Sequence, residues 1–189
     1  MGKILQVNGE RLNQRIAELG QIGAIEGGGC ARLALSDADK GGRDLVCGWM
    51  RELGLEIKID GVGNVIGTRA GRQQGAAVMT GSHIDTVQTG GRYDGNYGVL
   101  AGLEVIATLN DAGVETEHPL SVGFFTNEEG ARFPPDMMGS LVYTGVLGLD
   151  EVLQTVGIDG TTVKENLERI GYAGNAPIPG ATPRAYVEL

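Results

Sequence analysis

The chain has 189 residues, enough for one domain with a sizeable core, and 41% of them are hydrophobic. Its formal net charge of −9 argues against binding to nucleic acid or to an anionic membrane surface, because both need clustered Lys and Arg. The sequence has no secretory signal, no run near the roughly 18 apolar residues of a membrane span and no cysteine framework, so we expect a cytoplasmic protein without nucleic-acid or membrane partners.

Two amphipathic helices are predicted in the first part of the chain. Asn8 is a candidate N-cap for a helix over GERLNQRIAELGQI, which carries leucine and isoleucine at helical spacing. The segment GAIEGGGCARLALS reads as a loop. Ser36 and Asp39 resemble a capping pair for a second helix, which we expect to stop at Gly54.

The middle of the chain alternates between strand and helix patterns. Four strands and one strong helix are predicted, in the order LEIKID, GNVIGTRAG, AAVMTGSHID, the helix NYGVLAGLEVIATLNDAG and PLSVGFFTNEEGA. The last two strands are short, apolar and buried in character, and they flank the helix. This arrangement indicates a βαβ-like unit in a largely covered sheet.

The pattern weakens beyond Pro134. MMGSLVYTGVLG and TVKENLERIG are plausible short helices, NAPIPGATPRAY is a proline-rich loop, and the final VEL looks like the start of a strand. His118 falls in a loop before a strand and matches no ligand position.

Candidate metal ligands follow the third predicted strand. His83 and Asp85 are separated by one residue, so at an extended strand end their side chains point to the same side. His83 is a candidate ligand and Asp85 a candidate partner that orients its ring. Asp94 lies nine residues further on, among glycines that permit a sharp turn, and is a candidate bridge between two ions.

An acidic pair follows the other buried strand. If the two strands are parallel neighbours, Glu128 and Glu129 lie at the same sheet edge as His83. Adjacent residues of a strand point in opposite directions, so both glutamates can face one site only if the chain bends, and Gly130 could supply that bend. One glutamate would then be a ligand and the other a general base.

Each feature also has a plainer explanation. A lone HxD is often structural, a glycine-rich segment with Asp is often a turn that caps a helix, and two adjacent glutamates are often a solvated pair. Their placement at strand and helix ends favours a joint metal site. Oxygen ligands with one imidazole suit zinc, manganese or cobalt, and spacing cannot choose among these metals.

These motifs resemble a known family. GSHIDTVQTGGRYDGNYGVLAGLEV followed by FFTNEEGARF is similar to the hydantoinase/carbamoylase group of dinuclear metal amidohydrolases, within the aminoacylase and carboxypeptidase-like metallopeptidases. The resemblance implies an α/β fold, a three-layer αβα zinc-peptidase-like domain with a central mixed, largely parallel sheet, incomplete at its C-terminal side. It also implies hydrolysis of linear ureido or amide C–N bonds in small N-carbamoyl amino acids by a homodimeric parent enzyme.

Carried over by position, the resemblance makes His83, Asp94 and Glu129 metal ligands, Glu128 the general base and Asp85 the residue that orients His83. Family members continue after YVEL with a ligand histidine, a dimerisation or lid domain and a further catalytic segment. We therefore expect residues 1–189 to be the N-terminal part of the catalytic domain, to bind two Zn, Mn or Co ions weakly at most, and to be inactive alone.

Two alternatives stay open at this point. One is an aminoacylase or dipeptidase of the same fold, which hydrolysis of N-carbamoyl amino acids against dipeptides would separate. The other is a non-catalytic fragment or scaffold, which an activity assay after metal loading would decide.

Overall fold

The computed structural model describes residues 4–189. Six helices and five strands lie in these residues, in the order α1 (Gly9–Leu19), α2 (Asp37–Glu52), β1 (Glu56–Ile59), β2 (Val65–Arg69), β3 (Val78–His83), α3 (Asn96–Asp111), β4 (Leu120–Phe125), α4 (Met138–Tyr143), α5 (Leu149–Leu153), α6 (Val163–Ile170) and β5 (Ala185–Glu188). None of the helices described for residues 4–189 has the length and apolar character to cross a membrane.

Local sequence signals set the ends of the first two helices. The Asn8 side chain accepts a hydrogen bond from the Arg11 amide at 3.1 Å, and Ser36 accepts one from the Asp39 amide at 3.1 Å. Both contacts satisfy amides that a helix start leaves without partners, so the predicted caps are confirmed. Gly54 has a left-handed φ of 78° immediately after α2, as expected of a helix stop.

The five strands form one mixed sheet in the order β1-β2-β4-β3-β5. β1, β2 and β4 pair antiparallel, whereas β4, β3 and β5 pair parallel. The mixed α/β sheet is confirmed, and its parallel part is the half that leads to the predicted site. β5 is the edge strand and all four of its residues are exposed, so the sheet is open on that side.

Helix α3 covers one face of the parallel strands. A Cβ added at Gly102 would lie 2.6 Å from the Thr80 methyl group and 3.0 Å from a Val122 methyl group, so α3 approaches β3 and β4 closely. α1 packs on α3, and α2 packs against β1. The buried core runs between these helices and the sheet.

The opposite face of the sheet is covered by α4 and the proline-rich segment. The Phe125 ring of β4 meets Tyr143 of α4 edge to face, with ring centroids 5.5 Å apart. A pocket of about 440 Å³ lies beside this contact, between Ile66 and Met79 of the sheet and the prolines of residues 177–183. It contains none of the five predicted site residues.

Candidate metal centre

Two parallel strands bring the predicted site residues to one edge of the sheet. In the pairing of β3 with β4, His83 lies opposite Phe125, the last residue of β4. The chain continues from these ends to Asp85 on one side and to Glu128 on the other. Convergence at the carboxyl ends of neighbouring parallel strands, as predicted from the sequence, is therefore present.

His83 is buried and its ring orientation is fixed. Its Nδ1 lies 2.9 Å from the backbone carbonyl oxygen of Asp85. A carbonyl oxygen can only accept, so Nδ1 carries the proton and a neutral ring keeps its lone pair on Nε2. Nε2 lies 3.3 Å from Oε2 of Glu128. The ring thus presents a potential ligand atom toward the acidic residues.

Asp85 differs from its predicted contact. The sequence suggested that its carboxylate orients His83, but its backbone carbonyl does so. The carboxylate instead accepts hydrogen bonds from the amides of Glu128 at 3.2 Å and Glu129 at 3.3 Å. Asp85 therefore connects the histidine ring to the glutamate turn through two different groups.

The buried position of Asp85 alters its acidity. Burial is the main cause that raises the pKa of Asp85 to about 6, and the nearby charge of Asp39 adds to this rise. His83 and the two accepted amide bonds act in the opposite direction. Asp85 is only 2% exposed, so little solvent reaches its carboxyl group to stabilise the charge.

The bend at the two glutamates begins earlier than predicted. Asn127 already has a left-handed φ of 55°, and Gly130 has a φ of 63°. Asparagine tolerates this conformation better than most residues, and the Asn127 amide group here donates to the Phe133 carbonyl oxygen at 2.7 Å. Both glutamates are half-buried, between two left-handed residues rather than before one.

Asp94 lies in the exposed loop before α3. Its charge contributes to the pKa shift of Glu129. Burial is the main cause that raises the pKa of Glu129, the negative charges of Asp94 and Glu128 raise it further, and His83 lowers it. Glu129 thus lies within electrostatic reach of Asp94, Glu128 and His83, and this cluster is predominantly acidic.

The donor atoms are of the chemical type that binds a divalent cation, but they lie too far apart to coordinate one. An imidazole with a free Nε2 and several carboxylates is a typical ligand set for zinc, manganese or cobalt. Within residues 4–189, however, no three His, Cys, Asp or Glu side chains approach one another closely enough to hold an ion. The carboxylate that faces Nε2 is that of Glu128, the predicted base, rather than that of the predicted ligands Asp94 and Glu129.

Sequence reasoning did not single out Arg32. This arginine is fully buried and donates to the Ile84 carbonyl oxygen at 2.7 Å and to Asn96 Oδ1 at 2.9 Å, next to the segments that carry His83 and Asp94. The available signal was a single arginine in the otherwise apolar run CARLAL.

Sequence comparison relates the chain to known proteins. Residues 79–173 match the model of peptidase family M20/M25/M40, a range that includes all five predicted site residues. The chain is 41% identical over 188 residues to an N-carbamoyl-L-amino-acid amidohydrolase of Rhizobium meliloti, covering 99% of this chain and 45% of that protein. It is 35% identical to a ureidoglycolate hydrolase of Arabidopsis thaliana, covering 89% of this chain and 36% of that one.

Solved structures are similar to the chain as well. An amidase of the hydantoinase/carbamoylase family from Burkholderia vietnamiensis superposes with a TM-score of 0.95 at 50% identity, covering 98% of this chain and 45% of that chain. This chain therefore spans about half the length of the relatives it matches.

Proposed function

Because the chain belongs to peptidase family M20/M25/M40 and, within it, to the hydantoinase/carbamoylase amidases, we propose that it is part of a metal-dependent amidohydrolase. The proposed reaction is hydrolysis of a linear C–N bond in an N-carbamoyl-L-amino acid or a related ureido acid. The relatives named for both substrate types support this class. The observation that carries the proposal is the His83 ring, fixed through Nδ1, with Nε2 directed at the acidic residues.

The proposed roles are those that the family resemblance gives to these positions. His83, Asp94 and Glu129 would hold the metal, and Glu128 would be the general base. Divalent ions bound there would supply Lewis acidity toward the substrate carbonyl and an attacking water. Glu128 is 33% exposed as a side chain, so a water molecule can reach its carboxylate.

The chemistry asked of Glu128 is a proton transfer. Its carboxylate takes a proton from water as the oxygen attacks the ureido carbon, and returns the proton to the nitrogen when the C–N bond breaks. Asp85 holds the amides of Glu128 and Glu129 during this transfer, so the base keeps its place. Its backbone oxygen keeps Nδ1 of His83 protonated and Nε2 available.

We further propose that residues 1–189 correspond to the N-terminal part of the catalytic domain of a homodimeric, cytoplasmic enzyme. The acidic net charge and the buried free thiols of Cys30 and Cys47 support a reducing compartment. The donor set is equally compatible with zinc, manganese and cobalt, and Asp94 would contribute to holding two such ions.

A substitution tests the base. In the full-length enzyme that the proposal implies, Glu128→Gln keeps its metal content and loses about 10²–10⁴-fold in kcat on an N-carbamoyl amino acid. Glu117→Gln, an exposed glutamate that accepts a hydrogen bond from Gln73, is the matched control and keeps full activity. Unchanged turnover of Glu128→Gln would remove the base assignment.

Two other functions have specific support. The family description includes peptidases, so an aminoacylase or dipeptidase is the alternative reaction, and a higher kcat/KM on dipeptides than on N-carbamoyl amino acids would establish it. The open arrangement of the donors favours a chain that is inactive alone. Assay of the 189-residue chain after loading with Zn²⁺ or Mn²⁺ tests this, and substantial turnover would contradict it.

A further inference from the structure

Arg32 binds three separate segments from a fully buried position. Its Nε donates to the Ile84 carbonyl oxygen at 2.7 Å, and Nη2 donates to Asn96 Oδ1 at 2.9 Å. Nη1 donates to the carbonyl oxygens of Leu19 at 2.9 Å and Ile22 at 2.6 Å. One planar guanidinium group therefore connects the end of α1, the end of β3 and the start of α3.

The backbone around Arg32 strengthens the link to β3. The Arg32 amide donates to the Thr86 hydroxyl group at 2.8 Å, and the Thr86 amide donates to the Arg32 carbonyl oxygen at 2.9 Å. The segment that leaves β3 is thus held at Ile84 by the side chain of Arg32 and at Thr86 by its backbone.

These contacts lie beside two of the proposed metal ligands. Ile84 is the residue between His83 and Asp85, and Asn96 is the second residue after Asp94. Asn96 is itself 1% exposed, and it is the first residue of α3. The guanidinium group therefore spans the distance between the strand end that presents the imidazole and the helix start that presents the carboxylate.

Burying an arginine here costs desolvation free energy, so stability alone does not explain its presence. All four acceptors of its side-chain hydrogen bonds are neutral oxygens, and burial is the main cause that lowers the pKa of Arg32. Apolar residues of similar volume are often at least as stabilising as buried charges. The fork of donors, in contrast, fixes relative positions that a flexible apolar side chain would not.

We propose that Arg32, acting through Ile84 and Asn96, is a positioning residue that sets the separation between His83 and Asp94 for metal binding. The inference rests on the proposed function, in which both residues are ligands. It goes beyond that function because neither Arg32 nor Asn96 is one of the proposed ligands or the proposed base. Groups that orient ligands in this way typically change metal affinity about 10–100-fold when they are replaced.

Asn96→Ala is the test variant, because it removes one acceptor and leaves the other three contacts of Arg32 intact. Asn166→Ala is the matched control: Asn166 is 3% exposed, lies in α6, and accepts from Nη2 of the buried Arg132 at 2.8 Å. Both variants remove an asparagine oxygen that accepts from a buried arginine. Each also removes donor bonds of the asparagine amide group, to the Arg92 carbonyl oxygen for Asn96 and to Thr161 and Thr162 for Asn166. Only Asn96 adjoins the proposed ligands.

Three measurements are made on the 189-residue chain and its variants. Calorimetry gives the Zn²⁺ affinity, urea unfolding gives the stability, and NMR gives the ¹⁵N shifts of the histidine rings. The two histidines of the chain make assignment simple, with His118 as an internal reference. Asn96→Ala is expected to weaken Zn²⁺ binding at least tenfold and to shift the His83 ring signals before metal is added. Asn166→Ala is also expected to lose stability, but its Zn²⁺ affinity should stay within twofold of that of the unsubstituted 189-residue chain.

The conservative variant Arg32→Lys keeps the charge, but a single ammonium group cannot span both Ile84 and Asn96. It is expected to lose Zn²⁺ affinity as Asn96→Ala does. Equal Zn²⁺ affinity in all folded variants, with stability alone reduced, would overturn the inference.

If the unsubstituted 189-residue chain binds no Zn²⁺, which its incomplete ligand set permits, the proposed function is tested by the Glu128→Gln variant of the full-length enzyme, and the metal-free shifts decide the role of Arg32. Unchanged His83 ring signals in Asn96→Ala then overturn that role, whereas a shift of the His83 ring with His118 unchanged supports it.

Discussion

Replacement of Gly95 by alanine would test how tightly the backbone before α3 is packed against the candidate ligand His83. Gly95 has φ 62° and ψ −49°, a conformation that residues with a Cβ rarely adopt. An alanine Cβ would also lie 2.5 Å from both Cδ2 and Cε1 of the His83 ring, so the ring or the backbone must move.

The two effects have separate magnitudes. The backbone conformation costs about 1–3 kcal/mol for a non-glycine residue, and forcing a methyl group into a packed site costs about 1–3 kcal/mol more. We therefore expect Gly95→Ala to lower the free energy of unfolding by about 2–6 kcal/mol. For a chain of this size, the smaller value corresponds to a fall of at least about 4 °C in Tm.

Urea and thermal unfolding of the 189-residue chain measure this loss, with Gly91→Ala as the matched control. Gly91 lies in the same glycine-rich loop, but a Cβ there would meet nothing within 4 Å. We expect Gly91→Ala to stay within about 0.5 kcal/mol of the parent chain. If Gly95→Ala were as stable as Gly91→Ala, the close packing of the glycine on the His83 ring would be refuted.

Two further predictions concern buried charges. Because the pKa of Asp85 rises from 3.8 to about 6 on folding, the native state holds more protons between these values, and stability falls as the pH rises from about 4 to about 6. The expected loss is about 3 kcal/mol in the free energy of unfolding, measured by urea unfolding at a series of pH values. Asp85→Asn should flatten the dependence of this free energy on pH. An unchanged dependence would exclude Asp85 as its source. Arg43→Met breaks the fully buried pair in which Nε of Arg43 lies 2.7 Å from Oδ2 of Asp39, and should cost about 3–5 kcal/mol in urea unfolding. Lys40→Met, which breaks the exposed pair with Asp44, should cost less than about 1 kcal/mol, and equal costs would contradict the argument from burial.

The sequence predicted most of the helices and strands because their signals are local. Asn8 and Ser36 cap helices through residues only three positions away, and the apolar runs of β3 and β4 need no distant partner to be read. The short helices α4 and α6 lie where weak patterns suggested them, whereas α5 was missed, because its five residues are too few for periodicity to show.

The detailed contacts of the site could not be read from spacing. Whether Asp85 meets His83 through its carboxylate or its carbonyl oxygen depends on the path of the chain after β3, and the carboxylate is occupied by an amide of the segment that follows β4. The bend at Asn127 needed knowledge of the Phe133 carbonyl oxygen that its side chain binds. The contacts of Arg32 could not be predicted for the same reason, since one of its partners, Asn96, lies far away in the sequence.

The strand order also affects how the molecule can be made. β3 carries His83 at its end, yet both of its neighbours, β4 and β5, come later in the chain. Its register pairs Val78 with Leu120 on one side and with Ala185 on the other. During synthesis at about 5–20 residues per second, β3 leaves the ribosome several seconds before β4 can pair with it, and its second edge waits longer still. The histidine strand is thus an apolar segment that nascent-chain chaperones would meet unpaired.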